Sequence, residues 1–187
     1  MKKTLLLIIL LIWGGIISFS TNISGPRYRL EGAFGFINDK ISENYNYYSG
    51  AISFLPEWKL QVNDRFDITI GPKITVNTTT IKYTNGLLII SSLILSGEAN
   101  FNYKVKNNIR IYLGLEAGTG VGFQRYSSID NSENMKLSEN SSDVHYSREF
   151  TAISKIALGI KLNDRYNIAI YTGDAKALLG IEVGYTF

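Results

Sequence analysis

The C-terminal segment 177–187 constrains the fold of this chain more than any other stretch. Apolar residues stand at every second position from Ala177 to Phe187, and the positions between them, apart from Leu178, carry glycine, glutamate or threonine. A period of two predicts a β-strand with two different faces. Because a hydrophobic strand with a free edge invites aggregation, we expect this strand to be paired on both sides. Closure of a sheet into a barrel provides both partners.

Seven further segments with similar alternation precede this strand. The predicted strands are residues 27–37, 49–62, 66–76, 87–103, 109–123, 146–162, 166–172 and 177–187. The connections after the second, fourth and sixth strands are short, whereas those after the first, third and fifth are long. Outer-membrane barrels have short periplasmic turns at one rim and longer external loops at the other. The sequence therefore predicts an all-β fold, an eight-stranded antiparallel transmembrane up-and-down β-barrel.

Residues 1–20 have the features of a secretory signal peptide. Lys2 and Lys3 make the N-terminus positively charged, and an apolar run covers residues 5–17. Ser18-Phe19-Ser20 then provides the small residues of a cleavage site. The apolar run is too short for a transmembrane helix, which needs roughly 17–25 residues. We therefore expect a signal peptide over residues 1–20 and a barrel domain over residues 21–187.

The composition of the remaining chain excludes several classes. Without the two signal lysines, 17 basic residues (19 − 2) stand against 16 acidic ones, so the charge gives no indication of nucleic-acid binding. The chain has no cysteine, which excludes a disulfide framework. No apolar run after residue 20 is long enough for a helical membrane span. Strand spans remain possible because their signal is only alternation over about 10 residues.

Alternation alone does not show which face lines the barrel. A soluble carrier would have its apolar face inside, whereas a membrane barrel has it outside. Glycines concentrate on the polar face, within 114–122 and 180–184, and the narrow lumen of an eight-stranded barrel favours small side chains. Aromatic residues gather at the strand ends of the apolar face, as in the girdles at lipid interfaces. These features favour a membrane barrel with its polar face inward.

The inward face is predicted to carry a balanced set of charges, because buried charges need partners. The predicted lumen network consists of Arg27, Arg29, Glu31, Glu57, Lys59, Asp67, Lys73, Glu98, Arg110, Glu116, Lys155, Lys161 and Glu182. Glu149 completes the balance at seven cations and seven anions. We expect these groups to plug the lumen rather than leave an open pore.

Two prolines predict an irregularity in the wall. If the turn 63–65 is centred on Asp64, Pro56 of the second strand faces Pro72 of the third. Proline cannot donate to a ladder and normally avoids central strands. We expect a local bulge or kink at this pair, toward the external rim.

The last strand, which ends Val183-Gly184-Tyr185-Thr186-Phe187, resembles the C-terminal signature of bacterial outer-membrane barrels. This resemblance implies that Tyr185 and Phe187 are an assembly signal for the barrel-assembly machinery. In length and strand plan the chain resembles small eight-stranded proteins of the OmpA/OmpX-like and opacity-protein type. The resemblance implies a location in the outer membrane of a Gram-negative cell.

One segment resembles a catalytic motif. His145-Tyr146-Ser147 is similar to the His-x-Ser element of outer-membrane lipid A deacylases, which act with a glutamate on an acyl chain. By strand parity His145 and Ser147 face the lumen, whereas that chemistry has to face lipid, and Gly159 stands where the glutamate would be needed. No cluster of residues has metal-ligand spacing. We predict no catalytic residue, no bound metal and no cofactor.

The sequence favours a structural or surface-interaction role, such as adhesion or envelope integrity, and no enzymatic activity. The predicted loops 38–48 and 124–145 are polar, and the first contains Tyr45, Tyr47 and Tyr48, which suit binding of a host or surface ligand. A lipid A-modifying hydrolase using His145 and Ser147, and a narrow pore, remain alternatives. The expected partners are outer-membrane lipid, lipopolysaccharide and the assembly machinery, with no nucleic acid.

Overall fold

The computed structural model describes residues 22–39, 45–83, 86–128, 148–173 and 179–187. The strands are Asn22–Asp39 (β1), Tyr45–Gln61 (β2), Phe66–Tyr83 (β3), Gly86–Lys106 (β4), Ile109–Ser128 (β5), Arg148–Leu162 (β6), Tyr166–Gly173 (β7) and Gly180–Thr186 (β8). In this part of the chain no helix is both long and apolar enough to cross a membrane. The predicted signal peptide, residues 1–20, lies outside the described residues.

The strands form one closed antiparallel barrel in which each strand pairs with its neighbour in the chain. The barrel closes where Arg29–Gly35 of β1 pairs with Gly180–Thr186 of β8. The predicted fold class, an eight-stranded up-and-down β-barrel, is confirmed. The C-terminal strand has partners on both sides, as its hydrophobic alternation requires.

The barrel wall is much taller on one side than on the other. β4 has 21 residues and β8 only 7, whereas a transmembrane strand needs about 9–11. β3 and β4 stay paired from Phe66↔Tyr103 to Tyr83↔Gly86, so this hairpin rises far above β7 and β8. We call the part of β2–β5 beyond the level of β8 the projecting sheet, taking Thr78–Tyr83 and Gly86–Ser91 as its central hairpin.

Several predicted loop residues belong to this sheet. The segment from Asn77 onward was expected to be a loop, but it continues β3 as far as Tyr83. Threonine favours strands because its branched side chain packs well on a pleated surface, and the apolar start of β4 provides the partner. Strand structure also covers 38–39 and 45–48 of the first predicted loop and 124–128 of the third. The rest of those two loops lies outside the described residues.

All three prolines of the chain lie at one place in the wall. The pairing of β1 with β2 shifts between Ser24 and Arg27, where Pro26 lies. The ladder between β2 and β3 stops at Trp58↔Ile70 and resumes at Phe54↔Ile74, so the predicted irregularity at Pro56 and Pro72 is confirmed. The carbonyl of Pro56 approaches Gly71 so closely that a Cβ there would overlap it.

The predicted position of this irregularity, toward the external rim, was wrong. Pro56 lies five residues from Gln61, the last residue of β2, and eleven from Tyr45, the first residue. The irregularity is therefore nearer to the short-turn rim than to the opposite rim. The error arose because β2 and β3 extend well beyond the strands that alternation predicted.

Candidate functional site

The two faces of the barrel wall have opposite chemistry. On the outside, Leu113, Leu115 and Val183 are 43%, 42% and 52% exposed. On the inside, Glu116 and Glu182 are 3% and 2% exposed. A soluble carrier would show the reverse arrangement, so the predicted orientation of the two faces is correct. The candidate site is therefore the charged interior together with the two rims.

Glu98 of β4 is the hub of the central charge cluster. Its carboxylate pairs with Arg29 of β1, with Lys73 of β3 at 2.6 Å and with Lys155 of β6 at 3.6 Å. None of these four side chains is more than 2% exposed. Because β1 and β6 are not neighbours of β4, these ion pairs cross the lumen.

Three further carboxylates complete the central cluster. Glu116 lies 3.3 Å from the Lys73 ammonium and 3.0 Å from that of Lys155. Glu182 lies 2.6 Å from Lys155. Glu31 pairs with Lys73, and also with Arg29 at 3.0 Å. Each cation therefore meets several carboxylates, which offsets part of the cost of burying it.

A second cluster, the rim cluster, closes the short-turn end of the lumen. Its hub is Asp164, whose carboxylate lies 2.6 Å from Lys59, 3.0 Å from Arg27 and 3.1 Å from Arg110. Asp67 adds ion pairs to Lys59 at 3.7 Å and to Arg110 at 3.2 Å. The two clusters are joined by Glu57, which pairs with both Arg27 and Arg29.

Asp164 reaches the lumen because of the turn that carries it. Asn163 and Asp164 have φ angles of 53° and 58°, and Arg165 N–H donates to the Leu162 carbonyl at 3.0 Å. Positive φ at both central residues is the geometry of a type I′ hairpin turn, which Asn and Asp tolerate. This hub was missed from the sequence, which predicted only a short connection between the sixth and seventh strands here.

The same tripeptide forms a different turn between β2 and β3. There the side-chain oxygen of Asn63 accepts hydrogen bonds from Arg65 N–H and Phe66 N–H, at 2.9 and 2.8 Å. Asp64 is exposed. Identical residues thus give one aspartate that faces water and one that holds three cations in the lumen.

The surroundings of Asp164 shift its pKa. Partial burial acts to raise the pKa, but the hydrogen bond from Lys59 and the charges of Arg27 and Arg110 outweigh that effect. The pKa of Asp164 therefore lies below the ordinary value for aspartate. The carboxylate stays ionised at neutral pH, as its three ion pairs require.

The structure brings nearly all of the predicted network together. Ion pairs involve Arg27, Arg29, Glu31, Glu57, Lys59, Asp67, Lys73, Glu98, Arg110, Glu116, Lys155 and Glu182. The side chain of Glu149 lies outside the described residues. With Asp164 as the additional anion, the described lumen again contains seven cations and seven anions.

Lys161 differs from the other cations. Within the part of the chain that the structure describes, no carboxylate lies within 4.0 Å of its ammonium. It donates instead to Thr69 Oγ1 at 3.3 Å and lies 5.4 Å from the centroid of the Tyr112 ring. A hydroxyl and a ring face stabilise this buried cation partly, because the π-system is negative on its face.

Uncharged side chains also point into the lumen. Leu55, Ile94 and Ile153 point inward and are 1%, 0% and 3% exposed. Nearby, the hydroxyls of Ser53 and Thr75 are hydrogen-bonded at 2.8 Å. Alternation did not predict these inward apolar side chains, because inward positions were expected to be small or polar.

A belt of aromatic rings covers one side of the outer face near the short-turn rim. Tyr166 and Tyr185 have centroids 5.0 Å apart, and Phe187 lies 6.3 Å from both Tyr185 and Tyr28. Tyr28 stacks on Phe54 at 5.9 Å. These five residues, the aromatic belt, cover β2, β1, β8 and β7. Aromatic girdles of this kind mark the membrane interface.

Two predicted features lie outside the described residues. His145 and Ser147, the residues of the alternative hydrolase, are both there. So is most of the external loop 124–145. Among the residues that are described, no group of three or more His, Cys, Asp and Glu side chains forms a metal site.

The chain is similar to two solved structures of bacterial proteins. Ail, the attachment invasion locus protein of Yersinia pestis, has 13% sequence identity and a TM-score of 0.41, over 86% of this chain and 97% of that chain. The translocator domain of autotransporter NalP from Neisseria meningitidis has 8% identity and a TM-score of 0.37, over 91% of each chain. No protein-family model and no curated protein matches the sequence.

The chain's own residues identify its class. The barrel is closed, its outer surface is apolar, its charges are buried inside, and an aromatic belt covers four neighbouring strands near one end. Only a barrel surrounded by lipid stabilises this inverted distribution. The chain is an eight-stranded transmembrane β-barrel of the outer-membrane type.

Proposed function

We propose that this protein is a closed outer-membrane barrel that acts through its external surface, in adhesion or envelope integrity. In this proposal it is neither an open pore nor an enzyme. The main observation in support of a closed lumen is the central cluster. In it, Arg29, Lys73 and Lys155 reach Glu98 from different sides of the lumen.

A closed lumen follows from the cost of opening this cluster. An ion that crossed it would have to separate buried charges, and breaking a buried ion pair costs about 3–5 kcal/mol. Glu98 is engaged by three cations at once, so one rotamer change does not clear a path. Leu55, Ile94 and Ile153 add buried apolar side chains to the lumen.

Planar-bilayer recording tests the closed state. The refolded protein is added at increasing amounts to a bilayer in which a general porin, prepared in the same detergent, gives regular conductance steps. We expect a stable baseline at every amount of the barrel. Reproducible unitary steps whose frequency rises with the amount of protein would support the narrow-pore alternative instead.

The projecting sheet supports the surface role. β3 and β4 have 18 and 21 residues, about twice the length that a membrane span needs. Such a sheet places its tip well above the lipid, where binding residues are commonly presented on a rigid scaffold. The loop tyrosines were predicted to serve this purpose, and Tyr48 is 48% exposed.

A shortened hairpin tests the surface role without disturbing the barrel. Thr78 pairs with Ser91, so residues 79–90 can be replaced by Asn-Gly, which favours a two-residue hairpin turn. Bacteria that produce either protein are compared for retention on immobilised extracellular-matrix proteins and for survival in bile salts. We expect the shortened protein to fold, as judged by heat-modifiable gel migration, and to lose the retention or the survival advantage. Unchanged behaviour in both assays would contradict the proposal.

The hydrolase alternative has a separate test. Lipid A is extracted from bacteria with and without the protein and analysed by mass spectrometry. We expect identical acylation patterns. A lost acyl chain that is restored by Ser147→Ala would establish the enzymatic function and overturn the proposal.

A further inference from the structure

The short-turn rim presents an exposed basic surface that the closed-barrel role does not use. Arg65, Lys106 and Arg165 are exposed there, and Lys104 is half-buried. Asp64 is the exposed acidic side chain among the turn residues 62–65, 107–108 and 163–165 that the structure describes. The other acidic residue of these turns, Asp164, is held by three lumen cations. The outward charge of this rim is therefore positive.

Hydrogen bonds between the backbones fix the turns relative to one another. Lys104 N–H donates to the Arg65 carbonyl at 2.7 Å, and Asn163 N–H donates to the Asn108 carbonyl at 2.8 Å. Thr186 N–H donates to the Arg165 carbonyl, also at 2.8 Å. These hydrogen bonds link the first turn to β4, the second turn to the third, and the third turn to β8, so the turns are not independent tips. We call this hydrogen-bonded rim the ring. The basic residues are held at fixed positions around this ring.

Two of the basic positions lie directly beside an aromatic residue of the outer face. Arg65 precedes Phe66 and Arg165 precedes Tyr166, whose ring belongs to the aromatic belt. Lys106 pairs with Ile109 on the outer face, just below Ile111. Aromatic girdles lie at the headgroup level, and long basic side chains extend their charge to the same depth. The cations therefore lie at the depth of lipid phosphates.

We propose that this ring binds the headgroups of anionic phospholipids in the leaflet at the short-turn rim. The inference rests on the proposed membrane orientation and extends it to a specific lipid class. Within the described chain, no carboxylate lies within 4.0 Å of Arg65, Lys106 or Arg165, so their charges are available. A basic residue near an anionic lipid surface favours binding by roughly five-fold.

A natural fluorescent probe lies close to this rim. Trp58 is the one tryptophan outside the predicted signal peptide 1–20. It faces outward at 37% exposure and is three residues from the end of β2, about 10 Å along the strand. Bromine atoms on lipid acyl chains quench tryptophan at contact, so Trp58 reports which lipids occupy this side of the barrel.

The experiment compares two brominated lipids around the refolded barrel, residues 21–187. Vesicles contain phosphatidylcholine with increasing fractions of brominated phosphatidylglycerol, or of brominated phosphatidylcholine as the neutral reference. We expect phosphatidylglycerol to quench Trp58 with a roughly five-fold higher relative binding constant, and 0.5 M salt to reduce this preference. The triple variant Arg65→Gln, Lys106→Gln, Arg165→Gln should bind both lipids equally.

A matched control removes cations from the opposite rim. Lys82 and Arg125 are exposed on the projecting sheet, and Lys82→Gln with Arg125→Gln should retain the preference for phosphatidylglycerol. Equal quenching by the two lipids in the unmodified protein, or an undiminished preference in the triple variant, would overturn the inference. Absence of quenching by either lipid would instead show that the barrel is not in the bilayer, and would overturn the proposed function as well.

Discussion

Phe187 and Tyr28 join the last strand of the barrel to the first. They are connected by backbone hydrogen bonds and by a contact between their rings. Tyr28 N–H donates to the Phe187 carbonyl at 3.2 Å, and Phe187 N–H donates to the Tyr28 carbonyl at 2.9 Å. The two ring centroids are 6.3 Å apart. The final residue therefore completes the pairing of β8 with β1 at the rim where the aromatic belt lies.

Loss of this ring should weaken closure of the barrel. Phe187→Ala removes contacts with Tyr28 and Tyr185, and such ring pairs contribute about 0.5–1.5 kcal/mol each beyond burial. The free energy of unfolding in vesicles, from urea titrations, should fall by about 1 kcal/mol more than for Phe150→Ala. Phe150 is 91% exposed on the outer face, so its substitution changes lipid contact alone. Equal effects of the two substitutions would contradict this role.

The same substitution tests the predicted assembly signal. The resemblance implied that the assembly machinery recognises Tyr185 and Phe187, and this remains a prediction. In cells, Phe187→Ala should lower the amount of folded protein in the outer membrane, whereas Phe150→Ala should not. Similar levels of the two variants would show that Phe187 acts only within the folded barrel.

Removal of the central hub charge should destabilise the barrel strongly. Glu98→Gln keeps the shape of the side chain but leaves Arg29, Lys73 and Lys155 without their shared anion. We expect the free energy of unfolding to fall by about 3–5 kcal/mol. The double variant Lys73→Gln, Glu98→Gln should lose less than the sum of the single losses, because the partners interact. Additive losses would contradict a shared network.

The two Asn-Asp-Arg turns offer an internal comparison. Asp164→Asn should lower stability by about 2 kcal/mol, because three charged partners lose their anion, whereas Asp64→Asn at the exposed turn should change it by less than about 0.5 kcal/mol. Urea titrations of both variants measure this difference directly. Equal effects would show that Asp164 contributes no more than an ordinary turn residue.

The stabilisation by Asp164 should depend on pH in a defined direction. Its folded-state pKa is below the ordinary aspartate value, so its contribution is complete above the unfolded pKa of about 3.9. The contribution is lost as the pH falls from there through the lower folded-state pKa. The stability difference between the unmodified protein and Asp164→Asn should therefore be constant from pH 7 to pH 5 and shrink below pH 4. A difference that grows on acidification would contradict the assigned ion pairs.

One glycine prediction follows from the packing of the lumen. A Cβ at Gly159 would lie 2.6 Å from the Tyr112 ring and 2.6 Å from the Ile168 carbonyl, so Gly159→Ala should cost about 1–3 kcal/mol by overpacking. At Gly97 nothing lies within 4 Å of an added Cβ, and Gly97→Ala is the matched control. Equal stability of the two variants in urea titrations would contradict the close contact of Tyr112 with this wall.

The sequence predicts which side chains of a strand face lipid and which face the lumen, because every lipid-facing position requires an apolar residue. The alternating apolar residues of the last strand that the structure describes, from Leu179 to Phe187, all face outward, because a shift of one position would place charges in lipid. Strand ends were less predictable. Thr78–Tyr83 lie beyond the membrane, where no lipid constrains the pattern, and polar strand residues there resemble a loop.

The lumen residues were predictable where a charge lay on a clear strand, and not elsewhere. Asp164 was missed because its role depends on the type I′ turn, whereas the identical tripeptide at Asn63 folds differently. Ile94 was missed because β4 is apolar on both faces there. In each case the deciding information lies in tertiary contacts that a single segment does not contain.

Spin labelling tests the inverted orientation of the two faces most directly. The chain has no cysteine, so a single nitroxide can be attached at Leu115→Cys, at Val183→Cys or, as an aqueous reference, at Asp64→Cys. In lipid vesicles, power-saturation EPR should show the labels at 115 and 183 relaxed by oxygen and protected from a water-soluble nickel complex. The label at 64 should show the opposite pattern. Nickel access at 115 and 183 equal to that at 64 would show that these side chains face water, and would contradict a barrel whose apolar surface meets lipid.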